Sequence, residues 1–145
     1  MSAPHQEITE AIVETTSDGE PMGVVVKQPA ATPPAGTWPT VGLFFDAPAI
    51  RPALHDYAIR LAAEGYKVVI PDLYHRHEKM IGFEPAAVAA NPDLGPRMRE
   101  LLYSLTDDGI QADMDAGLEA AGVSTDEPIA VLGFCLGARA VYRAM

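Results

Sequence analysis

The sequence predicts an α/β protein, a sheet flanked by helices, and three observations predict it. Short apolar runs rich in β-branched residues alternate with segments whose apolar residues recur at helical spacing. A strand, helix, strand succession occupies residues 40–71. A later apolar run, "PIAVLGF", leads through a glycine-flanked cysteine into a helix-compatible segment, "LGARAVYRAM".

Taken in order, "ITEAIVET" and "MGVVVKQP" are β-rich and are separated by "TSDGEP", whose Asp18-Gly19 pair is a turn signal. A hairpin near the sheet edge follows. The stretch "PAATPPAGTWP" is crowded with residues that fix φ or lack a donor, so it reads as a surface loop, with Trp38 packing on a neighbouring loop at the entry to the next strand. "TVGLFF" is a continuous apolar run. In "RPALHDYAIRLAAEGY", Leu54, Tyr57, Ala58, Leu61 and Ala62 share one helical face, closed by Gly65. "KVVIP" is the next strand, and the βαβ unit so formed implies a parallel pair with a right-handed crossover.

Between "HRHEKMIGFEP" and "NPDLGP" no clean period emerges, and helical content is expected only around "EPAAVAA". Met98, Leu101, Leu102 and Leu105 mark a helix, and Ile110, Met114, Leu118 and Ala121 mark helical structure up to Gly122. Thr106, Asp107 and Asp108 interrupt the two patterns, which leaves one long helix or two. Met98 and Met114 are expected in the core, and Arg60, Glu64, Asp113, Asp115 and Glu119 on solvated helix faces. "PIAVLGF" is expected to be a buried strand.

Composition narrows the function. With 145 residues, 48% of them hydrophobic, the chain can bury a sizeable core. A net charge of -10 repels phosphate backbones and anionic lipid surfaces, so no nucleic acid and no membrane is expected as partner. One cysteine forms no internal disulfide, and "MSAPHQEITEAIVETT" lacks a cationic start followed by an apolar core; a cytoplasmic setting is expected.

The chemistry is concentrated in "VLGFCLGARA". A strand-to-helix turn of the form G-x-nucleophile-x-G exposes its central side chain at the top of a parallel sheet, and Gly133 and Gly137 stand two positions either side of Cys135. A thiol there faces a helix N-terminus, where unpaired backbone N–H groups and the macrodipole favour negative charge. The Leu136 N–H becomes an oxyanion-hole donor. Two blander readings compete: a lone cysteine serving as a small core hydrophobe, and a dinucleotide-binding turn, which "GFCLGA" fits poorly because it lacks G-x-G-x-x-G spacing.

"GFCLGARA", together with "LAAEGYKVVIPDLYHR" and "VGLFFDAPAIRP", resembles the dienelactone hydrolases, α/β-hydrolases with a cysteine nucleophile. The resemblance implies a mostly parallel sheet, hydrolysis of an ester or lactone bond of a small and anionic substrate, a Cys-His-Asp triad, and no cofactor or metal. It implies Cys135 as nucleophile, Arg76 as the ligand of a substrate carboxylate, and the Ala47 N–H as partner of Leu136 in the oxyanion hole. Asp46 stands where the family has a glutamate that holds the resting cysteine, and is one methylene shorter.

In α/β-hydrolases the acid and the histidine follow the nucleophile in chain order. Residues 1–145 are therefore expected to be the N-terminal portion of a single α/β-hydrolase domain, truncated after the elbow, with the acid and histidine downstream. Its exposed sheet edge would favour a completing C-terminal polypeptide or a homodimer. Of the histidines present, His5 lies in the N-terminal tail and His55 on the first helix, while His75 and His77 flank Arg76 at a strand end. With Asp72 and Glu78, the latter pair also invites a metal reading, against which a solvated loop is the simpler account. The alternative from another functional class is a non-catalytic hydrolase scaffold that retains the elbow only as structure.

Overall fold

The computed structural model describes residues 6–145, and His5 lies outside them. Among the described residues five strands form one sheet: β1 (Ile8–Ser17), β2 (Glu20–Pro29), β3 (Thr40–Phe44), β4 (Lys67–Pro71) and β5 (Ile129–Gly133), in the spatial order β1-β2-β4-β3-β5. β1 and β2 form the expected hairpin. Asp18 and Gly19 both have positive φ, 50° and 78°, the geometry of the two-residue turn that matches strand twist, and Ser17 faces Glu20 across it.

Only β4, β3 and β5 run parallel; β2 pairs antiparallel with both β1 and β4. The sheet is thus mixed, with the parallel part confined to the half that carries the elbow. The long hairpin, which returns through the loop ending at Trp38, accounts for the antiparallel half. Trp38 packs beside the turn before β4: a Cβ added at Gly65 would lie 3.5 Å from its ring, and Gly65 itself holds φ 95°.

Helices α1 (Pro52–Ala63), α2 (Pro85–Ala90), α3 (Leu94–Ser104), α4 (Asp107–Ala120) and α5 (Leu136–Ala144) flank the sheet. Alternation along β2 and β4 sorts their side chains. Val25, Val68 and Ile70 join Leu54, Ala58 and Ala62 of α1, whereas Val24 and Val69 meet Ala116, Leu118 and Ala120 of α4. Met114 is buried as expected, and Met98 packs against the same core.

The segment left open as one helix or two is two. Leu105 and Thr106 are extended, and the Thr106 hydroxyl accepts from the Gly109 N–H at 3.1 Å, an N-cap that starts α4 afresh. Asp107 and Asp108 in its first turn complement the helix dipole.

Two expectations are corrected. β5 is not buried: it is an edge strand, and Ile129 and Leu132 are 40% and 36% exposed, because it is paired only with β3. Asp113 is not on a solvated face but wholly buried, since α4 presents it to the hairpin turn, where three side chains bind it. No helix among the described residues is long and apolar enough to cross a membrane.

Candidate active site at the strand-to-helix elbow

β5 stops at Gly133 and α5 starts at Leu136, which leaves Phe134 and Cys135 to turn the chain. Cys135 adopts φ 55° and ψ −114°, a region that L side chains enter only when the surroundings impose it. The surroundings do. Gly137 N–H donates to Phe134 O at 2.8 Å and Ala138 N–H to Cys135 O at 3.1 Å. A Cβ at Gly133 would collide with the Gly137 carbonyl, and one at Gly137 with the carbonyl of Phe44 at the end of β3. The two glycines are thus required by close backbone approach, and the Cys135 thiol emerges free and exposed.

Facing the elbow is the loop between β3 and α1, and it is fastened at several points. Arg51 clasps the Asp46 carboxylate with both Nη atoms, at 2.6 and 3.0 Å, and also donates to Ala49 O at 3.3 Å. The Tyr74 hydroxyl donates to Ala47 O at 3.0 Å. Phe83 N–H donates to Pro48 O at 2.8 Å, and Ala49, at φ 58°, bridges to Gly82, where a side chain would strike the Ile50 carbonyl. Within this tied loop the Ala47 N–H has no acceptor among the described residues, and neither does the Leu136 N–H.

The positions expected to act together are brought together only in part. Asp46 makes no hydrogen bond to Cys135; Arg51 holds it instead, and its shorter side chain suits that local fork. Cys135 lines a cavity of 490 Å³ with Leu102, Leu105, Ile110, Leu136 and Arg139. Arg76 is not in it. It lines a neighbouring cavity of 280 Å³ on the other side of Leu105 and Ile110, with Asp18, His77 and Thr106. There its Nη atoms meet Asp113 at 2.8 and 2.9 Å and Asp18 at 2.6 Å. The hydrogen bonds it donates to Asp113 foremost, opposed next by desolvation and then aided by the bond to Asp18, raise the guanidinium pKa further.

No histidine among the described residues lines the Cys135 cavity. His75 is buried with both ring nitrogens engaged, Nδ1 at 3.0 Å from Pro21 O and Nε2 at 3.1 Å from Asp113. His55 sits on α1, its pKa lowered by burial and then by Lys27. Asp72, proposed with the H-x-H pair for a metal, instead accepts from the N–H groups of Tyr74 and Met80 at 3.1 and 2.6 Å. Burial, partly offset by those two donors, raises its carboxyl pKa. No group of three or more His, Cys, Asp and Glu suited to a metal occurs among the described residues.

Sequence reasoning overlooked Tyr74, Arg51 and Arg139. Tyr74 follows the proline that ends β4, on the carboxyl side of the sheet where sites form, so its hydroxyl was a usable signal. Arg139 lies four residues after Cys135, one turn along the same helix. Arg51 carried no periodic mark.

Known proteins resemble this chain in sequence and fold. The model of the dienelactone hydrolase family matches residues 25–145. A carboxymethylenebutenolidase of Pseudomonas sp. (strain P51) is 29% identical over 137 residues, 93% of this chain and 54% of that protein. A solved structure assigned as a dienelactone hydrolase, from Klebsiella pneumoniae, superposes with a TM-score of 0.72 at 25% identity, over 94% of this chain and 54% of its own. A dienelactone hydrolase-like promiscuous phosphotriesterase from metagenomic libraries shares the fold, with a TM-score of 0.62 at 20% identity over 94% of this chain and 54% of that one. The chain thus spans about half the length of these relatives. With a match that runs from Val25, within β2, to the last residue, the chain belongs to the dienelactone hydrolase family.

Proposed function

We propose that this chain carries the nucleophile and oxyanion hole of a hydrolase acting on ester or lactone bonds of small molecules. The Cys135 thiolate attacks the carbonyl carbon, and the carbonyl oxygen takes the electron pair as an oxyanion held by the Leu136 and Ala47 N–H groups. Collapse re-forms the carbonyl and breaks the bond to the leaving oxygen, which takes a proton and departs as an alcohol from an ester or stays tethered as a hydroxyl when a lactone ring opens. Water then attacks the thioester, the acid leaves, and the thiolate is restored. No cofactor enters this sequence. The observation that carries the reading is the positive-φ conformation of Cys135 at the start of α5, together with an Ala47 N–H that has no acceptor among the described residues.

The apolar Leu102, Leu105 and Ile110 suit the acyl part of such a substrate. An anionic end would reach Arg76 by displacing Asp18, whose side chain is 56% exposed, while Asp113 stays buried behind the guanidinium. The general base and its acid partner would come from a completing C-terminal polypeptide or a second copy of the chain, since His75 has no free nitrogen. A free, exposed thiol suits a reducing, cytoplasmic setting.

Incubation with p-nitrophenyl acetate should give an acetyl adduct on Cys135, visible by intact mass, which Cys135→Ala abolishes. An adduct that survives this substitution would reject the assignment and favour a scaffold that retains the elbow without its chemistry.

A further inference from the structure

The loop that presents the Ala47 N–H contains no regular secondary structure, yet an oxyanion donor must be held within a few tenths of an ångström of its working place. Two side chains outside the elbow grip it. Tyr74 is fully buried against Phe45, ring centroids 5.1 Å apart at 62°, and spends its hydroxyl on the carbonyl of Ala47 itself. Arg51 grips the residue before, through the Asp46 carboxylate, and the residue two beyond, through Ala49 O. The fork is part-buried, with side chains 17% and 21% exposed, so solvent competes poorly for it.

We propose that Tyr74 and Arg51 are positioning residues for the oxyanion hole, which fix the Ala47 N–H toward the carbonyl attacked by Cys135. Neither touches the reacting atoms; both act through the loop. The Tyr74 hydroxyl is suited to the task because it stays a donor: burial foremost, then the negative groups of Asp46, Cys135 and Asp72, keep it protonated far above neutral pH. The inference rests on the hydrolase reading given above and adds the residues that make its oxyanion hole rigid.

The test compares two reactions of the same thiol. Acetylation by p-nitrophenyl acetate passes through an oxyanion, whereas alkylation by iodoacetamide does not, so the ratio of their rates reports the hole and cancels changes in thiol exposure or ionisation. In the full chain, Tyr74→Phe and Arg51→Gln should each lower acetylation about 10- to 100-fold and leave alkylation within about twofold. Near-UV circular dichroism identifies which variants are folded. A folded variant of either residue that keeps the wild-type ratio, or that slows both reactions equally, overturns the proposal. Should one variant fail to fold, the other decides. If the unaltered chain shows no higher ratio than a small free thiol, the oxyanion hole itself is absent, and the hydrolase reading falls before this one is reached.

Discussion

At Arg76 a single side chain serves two carboxylates of different character. Asp113 is wholly buried and cannot leave, while Asp18 sits on the exposed hairpin turn and can exchange. Exposed pairs of this kind contribute about 0.2–1 kcal/mol, a factor of roughly 1.4 to five in an equilibrium. Asp18→Asn keeps the positive φ that the turn needs, since asparagine tolerates it well. If Arg76 binds the anionic end of a substrate as proposed, then in an active form of the protein this substitution should lower KM for a carboxylated ester about 1.4- to fivefold and leave a neutral ester unchanged. Steady-state kinetics on the matched pair of esters decides it: an equal effect on both, or none, removes Arg76 from substrate binding. The sequence marked Arg76 by its neighbours in "PDLYHR" but could not show its partners, because Asp18 and Asp113 lie 58 and 37 positions away.

Between elements, the buried Asp113 is the joint. Its carboxylate accepts from Ser17 of β1 at 2.6 Å, from His75 after β4, and from Arg76, so hairpin turn, strand end and α4 meet on one residue. Removing Arg76 would leave a buried carboxylate short of its strongest partner. Because the arginine is partly solvated, the expected loss for Arg76→Ala is about 2–4 kcal/mol, below the full figure for a buried pair. Arg139→Ala, which severs an exposed pair with Asp107, should stay within about 0.5 kcal/mol. Urea denaturation of the two variants checks the contrast, and equal losses would contradict it. The same residue shows why element-level reading failed here. Helical period put Asp113 one step from Met114, at the rim of the apolar stripe, and a charged residue at a rim reads as solvated unless its long-range partners are known. The hairpin, both parallel strands of the βαβ unit and the elbow were legible because turn chemistry and apolar runs are local signals. Thr106 was read only as an interruption of the helical pattern, and its extended backbone and side-chain cap are what distinguish a new helix from a continuing one.

For the whole molecule, the consequential surface is the free side of β5. Ile129, Leu132 and Phe134 are exposed there, beside a depression of 710 Å³ that includes Leu118, Val123 and Ile129. An apolar strand with an unpaired edge is a template for pairing. Residues 1–145 by themselves should sediment as a dimer or larger species at micromolar concentration, and Leu132→Lys should shift them toward monomer. A monomeric wild-type sample in analytical ultracentrifugation would contradict this. That β5 would be open was not legible in "PIAVLGF", whose composition is that of a strand covered on both sides. Composition reports what a strand is built to meet, and burial reports what it has met.

The pairing of β3 with β5 has a consequence for the order of events during synthesis. Thr40 must wait for Ile129, and Phe44 for Gly133, so the hairpin, α1 and β4 can all assemble while the strand that carries the thiol is still being made. The glycine contacts that force Cys135 into its strained turn include the carbonyl of Phe44, and they cannot form before that pairing does. A growing chain therefore holds an ordinary cysteine until its sheet is built, and the strained elbow at Cys135 comes into being as one of the last local structures of this segment.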